Sequence, residues 1–212
     1  MLEHYPSEAL PFIAKNMALV SNSGSMLGSK KGHLIDSYNN VARFNNYVLK
    51  EQYNVDIGAK SNIWVTSCWH DIKLRPNTFD YVLVPKPIDS FLLPSANWHY
   101  HNGDLDAYET VKLKGDTATR ERIAQFKDYR MVFMPLDIYH SIIKRHHHPS
   151  TGLLMIWWIW KQFNFFNADN HFGFDFFTAK RHHYYHTAGF STHNSKSEVN
   201  IYNELKMATG DV

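Results

Sequence analysis

Six short apolar runs, rich in β-branched and aromatic residues and each closed by turn residues, constrain this chain more than any other feature. They lie at residues 17–20, 41–44, 63–67, 81–84, 131–134 and 172–177. Short continuous apolar runs read as strands buried on both faces, because a half-exposed strand alternates apolar with polar residues. Helical patterns stand between several of them. Residues 117–128 carry Ile123 and Phe126 among many charges, and residues 136–144 carry Ile138, Ile142 and Ile143 with basic residues in the last turn. Strands alternating with helices imply an α/β class with a doubly wound, mostly parallel sheet and helices on both faces. No internal repeat and no Gly-, Ser- or Pro-rich linker divides the 212 residues, so a single domain over residues 1–212 is expected. Residues 85–114, with three prolines and no clear period, read as an acceptor or lid loop.

Composition narrows the function. A net charge of +2 with no basic stripe argues against nucleic acid as a partner. The aromatic share of 15% suggests a deep core, or a surface that meets sugars or lipid. Cys68 is the lone cysteine, which excludes an intramolecular disulfide framework and fits a reducing compartment. Residues 1–15 carry Glu3, Glu8 and two prolines instead of the basic start and apolar core of a signal peptide, so secretion is not expected. The longest apolar run, residues 153–160, falls within a helix expected at residues 151–163, short of the ~20 residues that span a bilayer. It reads as a helix buried against the sheet.

Several segments carry chemistry. The first strand runs into Ser21-Asn22-Ser23-Gly24-Ser25-Met26-Leu27-Gly28-Ser29, a turn of small residues at the end of a strand where open α/β sheets bind ligands. It matches neither a Walker loop nor a dinucleotide fingerprint. Asn45 follows the second strand and offers an amide that can read a base or ribose. Ser150, Thr151 and Gly152 open the apolar helix, where a hydroxyl can cap free amides and the positive helix end can hold a phosphate. The pair His183 and His193 reads as a catalytic acid and base. Fourteen histidines, among them His146-His147-His148, also raise a metal site, but no Cys or carboxylate stands at a recognised zinc spacing. Asp104-Leu105-Asp106 has the form of a metal-holding pair, yet no apolar strand precedes it.

Taken in order, four segments resemble the sialylmotifs of the eukaryotic-type sialyltransferases, glycosyltransferase family 29. The large motif resembles residues 18–45, with Asn22-Ser23-Gly24, Ile35-Asp36-Ser37 and Val41-Ala42-Arg43-Phe44-Asn45. The small motif is similar to Pro149-Ser150-Thr151-Gly152 through Phe172-Gly173-Phe174, the third to His183-Tyr184-Tyr185-His186, and the last to His193 and Glu198. The resemblance implies a variant of the GT-A-like fold and an inverting transfer of sialic acid from CMP-sialic acid to a glycan hydroxyl. It implies donor contacts from Asn22, Ser23, Gly24, Asn45, Ser150, Thr151, Gly152 and Tyr184, all within residues 18–45 and 149–198. It also implies that His183 supports the departing phosphate, that His193 is the general base, and that Glu198 orients its own helix or His193. Neither metal nor other cofactor is expected, since a monophosphate leaving group can be met by helix dipoles and a protonated histidine.

The cysteines that link the large and small motifs in animal members are absent, as is a membrane anchor, and the chain is short for the family. These departures imply a cytoplasmic enzyme of bacterial or viral type, free or peripheral to the inner membrane. CMP-Kdo is the rival donor, with a glycan or glycolipid acceptor in either case. A histidine-rich metal-binding protein and a non-catalytic nucleotide-binding module are the readings from other classes.

Overall fold

A computed structural model describes residues 14–68, 72–76, 78–87, 125–126, 128–146, 148–178, 183–185 and 194–209. Residues 88–114 of the loop expected at 85–114, with Asp104 and Asp106, as well as His186, His193 and most of the helix expected at 117–128, lie outside the described residues. The described strands are β1 (Met17–Val20), β2 (Asn40–Phe44), β3 (Ile63–Val65), β4 (Tyr81–Val84), β5 (Met131–Phe133) and β6 (His171–Phe172). They form one sheet in the order β5-β4-β3-β2-β1-β6, and every pairing is parallel. The described helices are α1 (Gly32–Ser37), α2 (Glu51–Ile57), α3 (Leu136–Ile143), α4 (Thr151–Phe163) and α5 (Ser195–Ala208).

The side-chain period of two divides the sheet into two apolar faces. Met17, Leu19, Ala42, Phe44, Ile63, Val65 and Leu83 pack against α3, α4 and α5. The alternate residues Ala18, Val20 and Val41 meet Ile35 of α1 and Ile57 of α2, while Trp64, Val82 and Val84 meet Phe126 and Tyr129. Helices therefore cover both faces, which is why the strands are apolar throughout. α4 is the central helix: residues Leu153, Leu154, Met155, Ile156, Trp157, Trp158 and Ile159 are all buried. At about 1.5–3 kcal/mol per fully buried large apolar side chain, this helix is a main contributor to the core.

Two strands end well short of their apolar runs, while β2 begins and β5 ends one residue earlier than expected. The run at 63–67 stops at Val65, because the Thr66 hydroxyl accepts the Cys68 amide at 3.0 Å and Cys68 adopts φ +52°. The run at 172–177 stops at Phe172, because Gly173 (φ +73°), Phe176 (φ +49°) and Phe177 (φ +66°) turn the chain into the left-handed region. Helices α1 and α2, of 6 and 7 residues, are too short to display an apolar period. Arg43 lies in β2 on the α1/α2 face with 1% exposure, and its guanidinium donates to the carbonyls of Ile57 (2.7 Å) and Lys60 (2.9 Å). Burial lowers its pKa.

Candidate active site

Strands β1 to β5 run outward in one direction from β1, whereas β6 lies on its other side. The order therefore reverses between β1 and β6, and in an open parallel sheet such a switch point leaves a crevice at the carboxyl ends of the strands. A pocket occupies it. Its walls are Ser21, Asn22 and Ser23 after β1, Phe44 and Asn45 at the end of β2, Gly173 to Phe177 after β6, Ser150 to Gly152 at the start of α4, and His183.

The first wall is held by its own hydroxyls. Ser21 donates to the Gly173 carbonyl and Ser23 donates to the Asp175 carboxylate, joining the two loops across the switch. Ser23 also caps the short 3-10 turn Gly24–Met26 by accepting the Ser25 amide at 3.0 Å. Gly24 itself does not line the pocket. Asn22 donates its amide to the Phe44 carbonyl at 2.9 Å, while its buried Oδ1 has no hydrogen-bond partner among the described residues.

Asn45 ends β2 in the left-handed region, at φ +48°. Its Oδ1 accepts the Ser67 amide at 2.9 Å and its Nδ2 reaches the Thr151 hydroxyl at 3.4 Å, so one side chain links the ends of β2 and β3 to the first turn of α4. Ser150 is the N-cap of α4 and accepts the Leu153 amide at 3.2 Å. The amides of Thr151 and Gly152 are the first two of the helix and have no intrahelical acceptor, and both residues line the pocket at the positive end of the helix. Gly152 permits the close approach of the opposite wall, since a Cβ there would lie 2.8 Å from the Phe174 ring.

A buried carboxylate secures that helix end. Glu198, fully buried in the first turn of α5, accepts the Ser150 amide at 2.7 Å and the Ser150 hydroxyl at 2.6 Å. The His146 Nε2 stands 3.5 Å from the same carboxylate. The sequence reading has Glu198 orienting its own helix or His193. The geometry shows it holding the cap of α4.

His183 lines the pocket with its ring stacked on Tyr185 at 5.3 Å, and the Tyr184 amide donates to the Asn22 carbonyl at 2.9 Å, which ties this segment to the loop after β1. Tyr184 does not line the pocket. Its side chain is fully buried, its hydroxyl donates to the Val48 carbonyl (2.6 Å) and accepts the Val48 amide (3.0 Å), and burial pushes its pKa up to about 12. The geometry makes it a prop behind the site. Phe174, which closes the small-motif segment, lines the pocket together with Asp175, Phe176 and Phe177, which the sequence does not single out because their run reads as a strand. The signal available was Gly173, whose backbone freedom ends the strand. Among the described residues, no three His, Cys, Asp or Glu side chains gather as a metal-ligand group, and no helix is long and apolar enough to cross a membrane.

The sequence profile of glycosyltransferase family 29 (sialyltransferase) matches residues 11–209. Solved structures similar in fold include two of mammalian proteins. One is a mammalian sialyltransferase with a TM-score of 0.52 at 18% identity. The other is a mammalian sialyltransferase in complex with Gal-beta-1-3GalNAc-ortho-nitrophenol, with a TM-score of 0.52 at 17% identity. Both alignments cover 91% of this chain and 66% of the mammalian one, so the chain spans just under two thirds of the length of those proteins. No curated protein matches the chain.

Proposed function

The chain belongs to glycosyltransferase family 29, the sialyltransferases, and on that premise we propose that it moves a sialic acid from CMP-sialic acid to a hydroxyl of a glycan. The observation that carries the reading is the pocket at the switch between β1 and β6, lined by Thr151 and Gly152 at the start of α4. A nucleoside monophosphate ester brings one anionic group and several hydrogen-bond donors. The helix start suits the anion, and Asn22 and Asn45 present amide groups to the rest.

In this proposal the acceptor oxygen attacks the anomeric carbon, the bond from that carbon to the phosphate oxygen breaks, and CMP departs with the bonding electrons. Configuration at the carbon inverts. His183, on the pocket wall, stabilises the charge gathering on the phosphate. His193 takes the proton of the acceptor hydroxyl, in keeping with the order of the sialylmotifs. No metal has a role in these steps, so activity should survive EDTA.

The test is nucleotide binding followed by donor profiling. CMP should raise the melting temperature in the micromolar to millimolar range, with much smaller shifts from UMP and GMP, and turnover should be higher with CMP-sialic acid than with CMP-Kdo. Equal shifts with the three nucleotides would remove the cytidine assignment, and turnover with CMP-Kdo alone would change the sugar.

A further inference from the structure

Asp175 is the only carboxylate among the described residues that line the pocket. It follows β6 and lies between Phe174 and Phe176, so it belongs to the aromatic wall opposite the start of α4. Its Oδ1 accepts the Phe177 amide at 3.0 Å and its Oδ2 accepts the Ser23 hydroxyl. These two bonds fix the carboxylate and use about half of its roughly four lone-pair sites. The Ser23 hydroxyl proton is committed to it, which orients Ser23 with its remaining acceptor capacity toward Ser25. On the adjoining loop the buried Oδ1 of Asn22 is a second acceptor, with no hydrogen-bond partner among the described residues.

The pocket is thus divided by charge. The positive end of α4 lines one wall at Thr151 and Gly152, whereas the Asp175 carboxylate belongs to another. A carboxylate repels an anion and attracts N–H and O–H groups, so a bound nucleotide is driven to place its phosphate at α4 and its neutral donor groups toward β6. We propose, on the CMP-donor reading above, that Asp175 sets nucleotide specificity by accepting a hydrogen bond from an N–H or O–H of the nucleoside. The aromatic flanks favour the exocyclic amine of cytosine, since flat rings are surfaces on which a base stacks. A uracil in the same place would turn a carbonyl oxygen toward the carboxylate. The ribose hydroxyls are the other source of the same donor chemistry.

The experiment is calorimetric titration of the full chain with CMP, UMP and 2′-deoxyCMP, for the wild type and Asp175→Asn. Asparagine keeps the acceptor for the Phe177 amide and removes the charge, so the turn survives. We expect CMP to bind about tenfold more weakly to the variant, the scale of one hydrogen bond to a charged group. If the amine is the donor, UMP loses little and the preference for CMP over UMP narrows. If a ribose hydroxyl is the donor, CMP and 2′-deoxyCMP converge in affinity while the preference over UMP stays. Affinities for all three within twofold of wild type, or all stronger, would overturn the proposal. Should circular dichroism show Asp175→Asn unfolded, Asp175→Ser carries the same comparison, because its hydroxyl can still accept the Phe177 amide. A wild-type chain that binds none of the three overturns the sialyltransferase reading itself, a failure distinct from an unchanged selectivity at Asp175.

Discussion

Replacing Glu198 with alanine removes the acceptor of two donors, the Ser150 amide at 2.7 Å and the Ser150 hydroxyl at 2.6 Å, in a place where the carboxylate has no exposure. A buried donor left unmade costs about 1–3 kcal/mol, and loss of a charge-assisted network falls at the upper end, so the sum is about 3 kcal/mol. For a domain of this size each kcal/mol lowers the melting temperature by about 2–4 °C, which gives a fall of about 6–12 °C for Glu198→Ala. Glu198→Gln keeps the shape and one acceptor. Its amide nitrogen can donate to the Ser150 hydroxyl oxygen, so the loss should be about 1 kcal/mol, or about 2–4 °C. Because Ser150 caps α4 at the pocket, the affinity for CMP should fall in the same order, with alanine below glutamine. Thermal unfolding and CMP titration of both variants provide the check. A Glu198→Ala variant that melts within 2 °C of wild type and binds CMP equally well would refute the idea that this carboxylate anchors the helix end.

Gly152→Ala should be nearly neutral in stability, since alanine is the better helix former by about 1 kcal/mol. CMP affinity should nevertheless drop, because the new Cβ pushes on Phe174 from 2.8 Å; unchanged affinity in a titration would place the ligand elsewhere. Tyr184→Phe removes the hydroxyl that bridges both backbone groups of Val48 and should destabilise by about 1–2 kcal/mol in urea unfolding, while nucleotide affinity per folded molecule stays the same. A selective loss of CMP binding would instead make Tyr184 a donor contact. His171 is partly buried among Phe166, Phe174 and Tyr202, with its Nδ1 3.0 Å from the Tyr202 hydroxyl, and burial lowers its pKa to about 3. The fold therefore binds this proton less readily than the unfolded chain. The contribution is fully present above pH ~6.5 and is lost as pH falls toward 3, by at most ~1.4 kcal/mol per unit. Urea midpoints at pH 7 and pH 5 should show this, and His171→Gln should flatten the difference.

Much of the fold was readable along the chain. β1 and β4 begin and end where their apolar runs do, and α4 spans residues Thr151–Phe163 as its run of Leu, Met, Ile and Trp implies, because strand and helix periods are local properties of adjacent residues. The alternation of strands with helices likewise carried the parallel sheet, since a parallel connection needs a crossover. What no local pattern contains is the side of β1 on which β6 lies, and that choice makes the crevice. The pairs that build its walls are distant in sequence: Ser23 and Asp175 are 152 residues apart, and Ser150 and Glu198 are 48 apart. Neither Asp175 nor the partner of Glu198 could be read from spacing, because a buried carboxylate is matched to its donors only when sheet order brings two loops together. Tyr184 shows the reverse case. The resemblance to the third motif implied a donor contact for it, whereas packing places its ring in the core, because neighbours along an irregular segment point in different directions.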